Sequence, residues 1–183
     1  MRDSRSEILQ FWFEDTAPIL WYQVNEDFDA AVRERFLTTY ELAREGACDG
    51  WQTDPDGCLA LCLLLDQFPR NMFRGTARAY EGDKKAILVA KLAVSKGFDQ
   101  VITPARRRFI YLPFEHSESL SDQHRCVELF GALKLNDPIG YEYALKHFRV
   151  IEQFGRFPHR NDRLGRESTP DELEFLKTSP KEV

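Results

Sequence analysis

Two stretches of this chain carry side chains that could do chemistry, and they share one pattern. Asp66-Gln67-Phe68-Pro69-Arg70-Asn71 is followed by Gly75, and Glu152-Gln153-Phe154 is followed by Pro158-His159-Arg160-Asn161 and Gly165. Each copy places an acid, Gln and Phe at the end of an apolar helical run. A proline-containing turn, an Arg-Asn pair and a Gly four residues after the Asn come next. A residue able to cap the following helix then follows: Thr76 in the first copy, Ser168 or Thr169 in the second. Guanidinium groups pair with carboxylates or phosphates through two parallel hydrogen bonds, so the pattern suits either an anion site or internal acid–arginine locks.

A helical wheel separates these uses only in part. Tyr141, Ala144, Leu145, Phe148 and Ile151 share one arc, and Glu152 falls inside it. Asp66 lies on the side of Leu59, Cys62 and Leu63. Both acids are therefore expected to be buried structural acids at helix C-termini, where the macrodipole disfavours negative charge. A buried carboxylate needs a cation or strong donors. Arg70 and Arg74 are the obvious suppliers in the first copy, and Arg156, Arg160 and Arg163 in the second. In the lock reading each acid fixes the following loop, Asn fixes the turn and Gly supplies a positive φ. In the ligand reading Arg70, Asn71, Arg74, His116, Arg156, His159, Arg160 and Asn161 line a cleft that receives an anion. Both can hold, because acid–arginine pairs can orient a binding layer.

A second polar cluster is Pro113-Phe114-Glu115-His116-Ser117-Glu118-Ser119. His116 could serve as a general base near neutral pH, oriented by Glu115 or Glu118, so His116, Glu118 and His159 are the catalytic candidates. The serines have a plainer use, since Ser119-x-x-Asp122 is a helix-entry pattern. His147 reads as a satisfied interior histidine, and His124 with Glu128 as a surface pair. There is no G-x-S-x-G elbow, P-loop, dinucleotide fingerprint or EF-hand loop. No spacing calls for a metal or cofactor.

The elements that must position these groups are helices. Ser4-x-x-Glu7 opens a helix through Phe13. Phe28, Ala31, Val32, Phe36, Tyr40 and Ala43 keep helical spacing up to Gly46. Asp56 is expected to cap a central apolar helix through Phe68, and Thr76 opens one to about Gly97 with an interruption at Gly82. Thr103-Pro104 starts a helix that Pro113 is expected to stop. Leu120 to Leu135, Asp137-Pro138 to Phe154, and Thr169 to about Lys177 complete an all-α array of about eight helices in pairs, in one domain spanning 1–183. Period-two strand patterns are absent.

Composition narrows the class. With 183 residues, 43% hydrophobic residues and 14 Phe, the chain can bury a substantial core. A net charge of −5 argues against general affinity for nucleic acid or anionic membranes. Of 25 basic residues, 17 are Arg. Cys48, Cys58, Cys62 and Cys126 have no metal-ligand spacing and read as small buried hydrophobes. No stretch could span a bilayer, and MRDSRSEILQFWFEDT has no signal-peptide apolar region, which points to a cytoplasmic protein.

The segments LLLDQFPRNMFRGT, FIYLPFEHSES with Gln123, and IEQFGRFPHRNDRLGRES resemble a mainly bacterial family, domain of unknown function 924. Phe11-Trp12-Phe13, Trp21 and Asp27-Phe28 fit it too. The resemblance adds Gln123 to the shared site and implies a tetratricopeptide-like α-α superhelix, with no established activity. The 34-residue period of true tetratricopeptide repeats is missing, so peptide binding would be analogy. The functional expectations are a small anionic ligand or peptide carboxylate held in an Arg/His-lined cleft; a metal-independent enzyme with His116 or His159 as acid/base; and a protein-interaction scaffold.

Overall fold

The structure, a computed structural model, describes residues 4–178, and every regular element among them is helical. The first three residues of the N-terminal stretch lie outside this range. The chain forms two compact units, Met1–Pro113 and Phe114–Val183.

In the first unit, α1 (Ser4–Gln10) continues into a wide π-turn over Phe11–Asp15. The short Pro18–Trp21 turn returns Trp21 to Trp12, where its indole N–H donates to the Trp12 carbonyl at 3.1 Å and the two rings stack. Asn25 caps α2 (Glu26–Arg44) by accepting from the Phe28 N–H at 2.8 Å. The acids Glu26, Asp27 and Asp29 follow in the first turn, where the helix dipole favours them. Phe28, Val32, Phe36, Tyr40 and Ala43 are buried, the stripe expected from their spacing. Asp54, rather than Asp56, caps α3 (Pro55–Cys62), with Pro55 at the first helical position. Cys58 through Leu65 are fully buried, which makes this helix central to its unit.

The first motif copy does not form the expected turn at its proline. The helix passes from α3 through a π-turn (Leu63–Gln67) into α4 (Phe68–Met72), straight across Pro69. The Phe68 N–H reaches five residues back to the Leu63 carbonyl, and this wider turn accommodates a residue with no N–H. Pro69 cannot donate to Leu65, four residues earlier, and the Leu65 carbonyl instead abuts Gly82. A Cβ on Gly82 would stand 2.1 Å from that oxygen. Gly82 also separates the short Ala77–Tyr80 turn from α5 (Asp83–Ser95), as the sequence suggested.

α6 (Pro104–Glu115) also outruns its proline, passing the expected stop at Pro113. Pro113 falls in the last turn, two residues before the helix ends, and the carbonyls that follow it are satisfied by a side chain. The Gln123 amide donates to Phe114, Glu115 and Ser117 carbonyls at 3.2, 2.7 and 2.7 Å.

The second unit is built on α7 (Leu120–Leu133) packed along α8 (Pro138–Phe154), with α9 (Pro170–Thr178) closing the chain. Asp137 caps α8 through the Gly140 N–H, as expected. A Cβ at Gly140 would come within 2.7 Å of the Phe130 ring, so the glycine permits close helix approach. Val150, Ile151 and Phe157 form a small core that Phe154 and Phe175 cover. All four cysteines are buried free thiols, and burial pushes those of Cys62 and Cys126 well up. No described helix is long and apolar enough to cross a membrane.

Candidate functional site

In the first motif copy, acids hold the basic side chains. Asp66 is 1% exposed. Arg70 Nη1 lies 3.2 Å from its carboxylate and donates to its backbone carbonyl at 2.6 Å. The same guanidinium donates twice to Asp83, at 2.9 and 3.1 Å. Burial works against the charge of Arg70, but Asp66 and Asp83 outweigh it and push its pKa up. Asn71 and Arg74 both reach Asp29: Asn71 Nδ2 at 2.8 Å, and Arg74 through two bonds of 2.7 and 2.9 Å. Asp29 and Asp83, far away in sequence, were not among the expected partners.

The second copy is a true helix end. Gly155 adopts φ 69° and stops α8, Pro158–Arg160 forms a short turn, and Gly165 adopts φ 65°. Glu152, expected to be buried here, is exposed. The buried face of α8 runs through Gly140, Ala144, His147, Val150 and Ile151. A wheel weighted by large apolar residues centres on Tyr141, Leu145 and Phe148 instead. Close packing at a glycine and a buried histidine turns the helix away from that arc and carries Glu152 to the surface.

Glu172 takes the role expected of Glu152. It is 2% exposed and receives Arg156 through two bonds, 2.6 and 2.8 Å. It also accepts from the Thr169 N–H at 2.7 Å, in a capping box at the start of α9. The Arg156 hydrogen bond, with help from Thr169 and Asn161, lowers the Glu172 pKa to about 2. Asn161 Nδ2 donates to Ser168 and Glu172, while its Oδ1 accepts from Arg166 Nε at 2.9 Å. Arg166 in turn binds both oxygens of Glu118, at 2.8 and 3.0 Å. One chain of charge-assisted bonds thus runs Arg156, Glu172, Asn161, Arg166, Glu118.

That network clamps Phe157. The Phe157 N–H donates to Glu118 at 2.8 Å, and its carbonyl accepts from Arg166 at 3.1 Å. The fully buried Phe157 ring is then the platform for a second group. The Arg160 guanidinium lies 4.4 Å from its centroid, the His159 ring 5.6 Å and the His147 ring 5.4 Å. The His116 ring is 6.3 Å from that of His147. Arg160 and His147 are 6% and 5% exposed.

His147 defines the chemistry of this group. Its Nδ1 is 2.9 Å from the Tyr143 carbonyl, which can only accept, so the proton is assigned to Nδ1 and Nε2 is left bare. The Glu115 carboxylate lies 3.4 Å from the same nitrogen. Burial, reinforced by His116, Arg160 and His159, depresses the His147 pKa to about 3, and the ring is neutral at pH 7. Of the sequence-nominated residues, His116, His159 and Arg160 come together here. Arg156, Asn161 and Glu118 sit in the supporting network, Gln123 closes the end of α6, and Arg70, Asn71 and Arg74 belong to the first unit. Burial opposes the charge of Glu118, but Arg166 and the Phe157 N–H outweigh it and lower its pKa, so it is a fixed carboxylate. Spacing flagged neither Arg166 nor Glu172, although Thr169 marked the start of the helix that carries Glu172. Among the described residues no group of three His, Cys, Asp or Glu side chains is placed to hold a metal ion.

Residues 8–180 match the model of a family described as bacterial protein of unknown function, DUF924. A solved structure of a protein of unknown function from Agrobacterium tumefaciens is 38% identical, with a TM-score of 0.88. The match covers 96% of this chain and 98% of that one. No curated protein matches the chain.

Proposed function

We propose that in this chain, which belongs to the bacterial family of unknown function DUF924, the Phe114–Val183 unit binds a small anion bearing a carboxylate or phosphate. Arg160 supplies fixed positive charge, and His116 and His159 supply imidazole donors. The observation that carries this reading is the convergence of His116, His159 and Arg160 on one buried neutral imidazole, His147. The neighbouring Arg156 and Arg166 are held bidentately by Glu172 and Glu118, and so act as scaffold. A peptide carboxylate offers the same recognition chemistry as a small carboxylate. Four buried free cysteines fit a reducing compartment such as the cytoplasm. The tetratricopeptide-like arrangement that the family resemblance implies is part of this proposal, and α7 packed along α8 supports it.

The experiment is a thermal-shift and calorimetric screen against inorganic phosphate, phosphorylated metabolites and di- and tricarboxylates. A ligand at about 100 times its dissociation constant stabilises by about 2.7 kcal/mol, roughly 5–10 °C for a chain of this size. A shift lost in Arg160→Ala supports the site.

One observation favours a second reading, acid/base catalysis on the bound anion. His116 beside His147, and His159 with Arg160 on the Phe157 ring, place two imidazoles that could serve as acid/base near a guanidinium that could stabilise developing negative charge. Turnover lost in His116→Gln or His159→Gln with anion binding retained would select it. Binding without turnover on any bound anion selects the binding protein.

A further inference from the structure

The first motif copy borders a separate cavity, of about 280 Å³, lined by Glu26, Asp29, Ala30, Arg33, Asn71 and Arg74. The four α2 residues stand at positions i, i+3, i+4 and i+7, so one face of the helix presents two acids, a methyl group and an arginine in order. Asn71 and Arg74 face them through Asp29, whose two oxygens accept the three bonds already described.

We infer that this cavity is a binding site for a small zwitterion, an amino acid or dipeptide with its ammonium toward Glu26 and Asp29 and its carboxylate toward Arg33. The charge pattern makes the choice. Asp29 is matched by Arg74, which leaves Glu26 and Arg33 as the opposed charges of the lining. Among the described residues neither takes part in an ion pair, and Arg33 rests 5.7 Å from the Phe73 ring. A simple anion would face two carboxylates here, and a simple cation two guanidiniums. Only a dipolar ligand meets complementary charge at both ends. Glu26 and Arg33 start roughly 10 Å apart along the helix, a separation their long side chains can narrow around an amino acid or dipeptide. Asn71 is 7% exposed and spends its amide nitrogen on Asp29. Its Oδ1 accepts no hydrogen bond among the described residues, which supplies a further acceptor for the ammonium. The volume lies at the small end of ligand pockets, which sets the size limit.

The site is independent of the anion site, and its test is separate. The full chain, labelled with nitrogen-15, is titrated with L-alanine, L-alanyl-L-alanine, N-acetyl-L-alanyl-L-alanine and L-alanyl-L-alanine amide. The expected result is saturable amide shifts over residues 26–33 and 71–74 for at least one of the unblocked zwitterions. Blocking either terminus of the dipeptide should weaken binding at least tenfold, and so should Glu26→Gln or Arg33→Ala. Both variants change exposed side chains and leave the amide spectrum otherwise native. Arg160→Ala should leave this binding unchanged. No saturable shift with either zwitterion up to about 10 mM, or equal affinity for the blocked peptides, overturns the proposal.

Discussion

Glu118 and Arg166, forty-eight residues apart, are joined by two parallel hydrogen bonds of 2.8 and 3.0 Å. The same pair holds the N–H and the carbonyl of Phe157. Phe157 is the ring on which Arg160, His159 and His147 rest, so this pair fixes the floor of the candidate site. Glu118→Gln keeps the shape but removes the charge that receives Arg166. A loss of about 1–3 kcal/mol is expected from urea unfolding, together with weaker anion binding. Unchanged stability would mean that the pair does not carry the loop.

Glu152 and Glu172 make a direct contrast. Glu152 is exposed, and Glu152→Ala should stay within about 0.5 kcal/mol of the parent. Glu172→Ala removes the partner of Arg156, Asn161 and the Thr169 N–H, and should lower the melting temperature clearly. Equal melting temperatures for the two variants would contradict the assignment of Glu172 as the buried acid.

Asp66 lies almost fully buried beneath Arg70. Arg70→Met retains much of the side-chain volume but removes the cation between Asp66 and Asp83. The expected cost is about 3–5 kcal/mol, because breaking a buried pair strands the remaining charge. Denaturant midpoints of the two proteins measure it, and a cost below 1 kcal/mol (about the worth of an exposed pair) would refute the lock.

His147 imposes a pH dependence of known sign. Its folded pKa is about 3, below the ordinary value of 6.5, so the unfolded chain takes up this proton first. Its stabilising contribution is fully present above pH 6.5 and is lost as pH falls from 6.5 toward 3, by at most about 1.4 kcal/mol per pH unit. Unfolding free energies across this range should fall less steeply in His147→Gln than in the parent. Identical slopes would show that His147 titrates alike in both states.

The helical plan was legible because it rests on local signals. The Phe28-to-Ala43 stripe, the Asp137-Pro138 entry and the Thr169 helix start follow from spacing and caps. Pro69 and Pro113 both lie inside helices, Pro69 just after a π-turn and Pro113 in a last turn whose following carbonyls the Gln123 amide receives. The repeated motif pointed to the right polar residues, but not to their partners. Asp29, Asp83, Arg166 and Glu172 arrive through tertiary folding, and no spacing within the motif encodes them. Glu152 was misplaced because hydropathy gives little weight to Gly140 and His147, which set the buried face of α8.

Arg160 is the residue proposed to receive the anion, and isothermal titration of the parent and of Arg160→Ala measures that role. Anion binding at Arg160 requires saturable binding of a phosphate- or carboxylate-bearing ligand to the parent. It also requires at least a tenfold loss in the variant, about 1.4 kcal/mol, with melting temperature lowered only modestly. A variant that binds as tightly as the parent, or a parent that binds no anion in the panel, would contradict it.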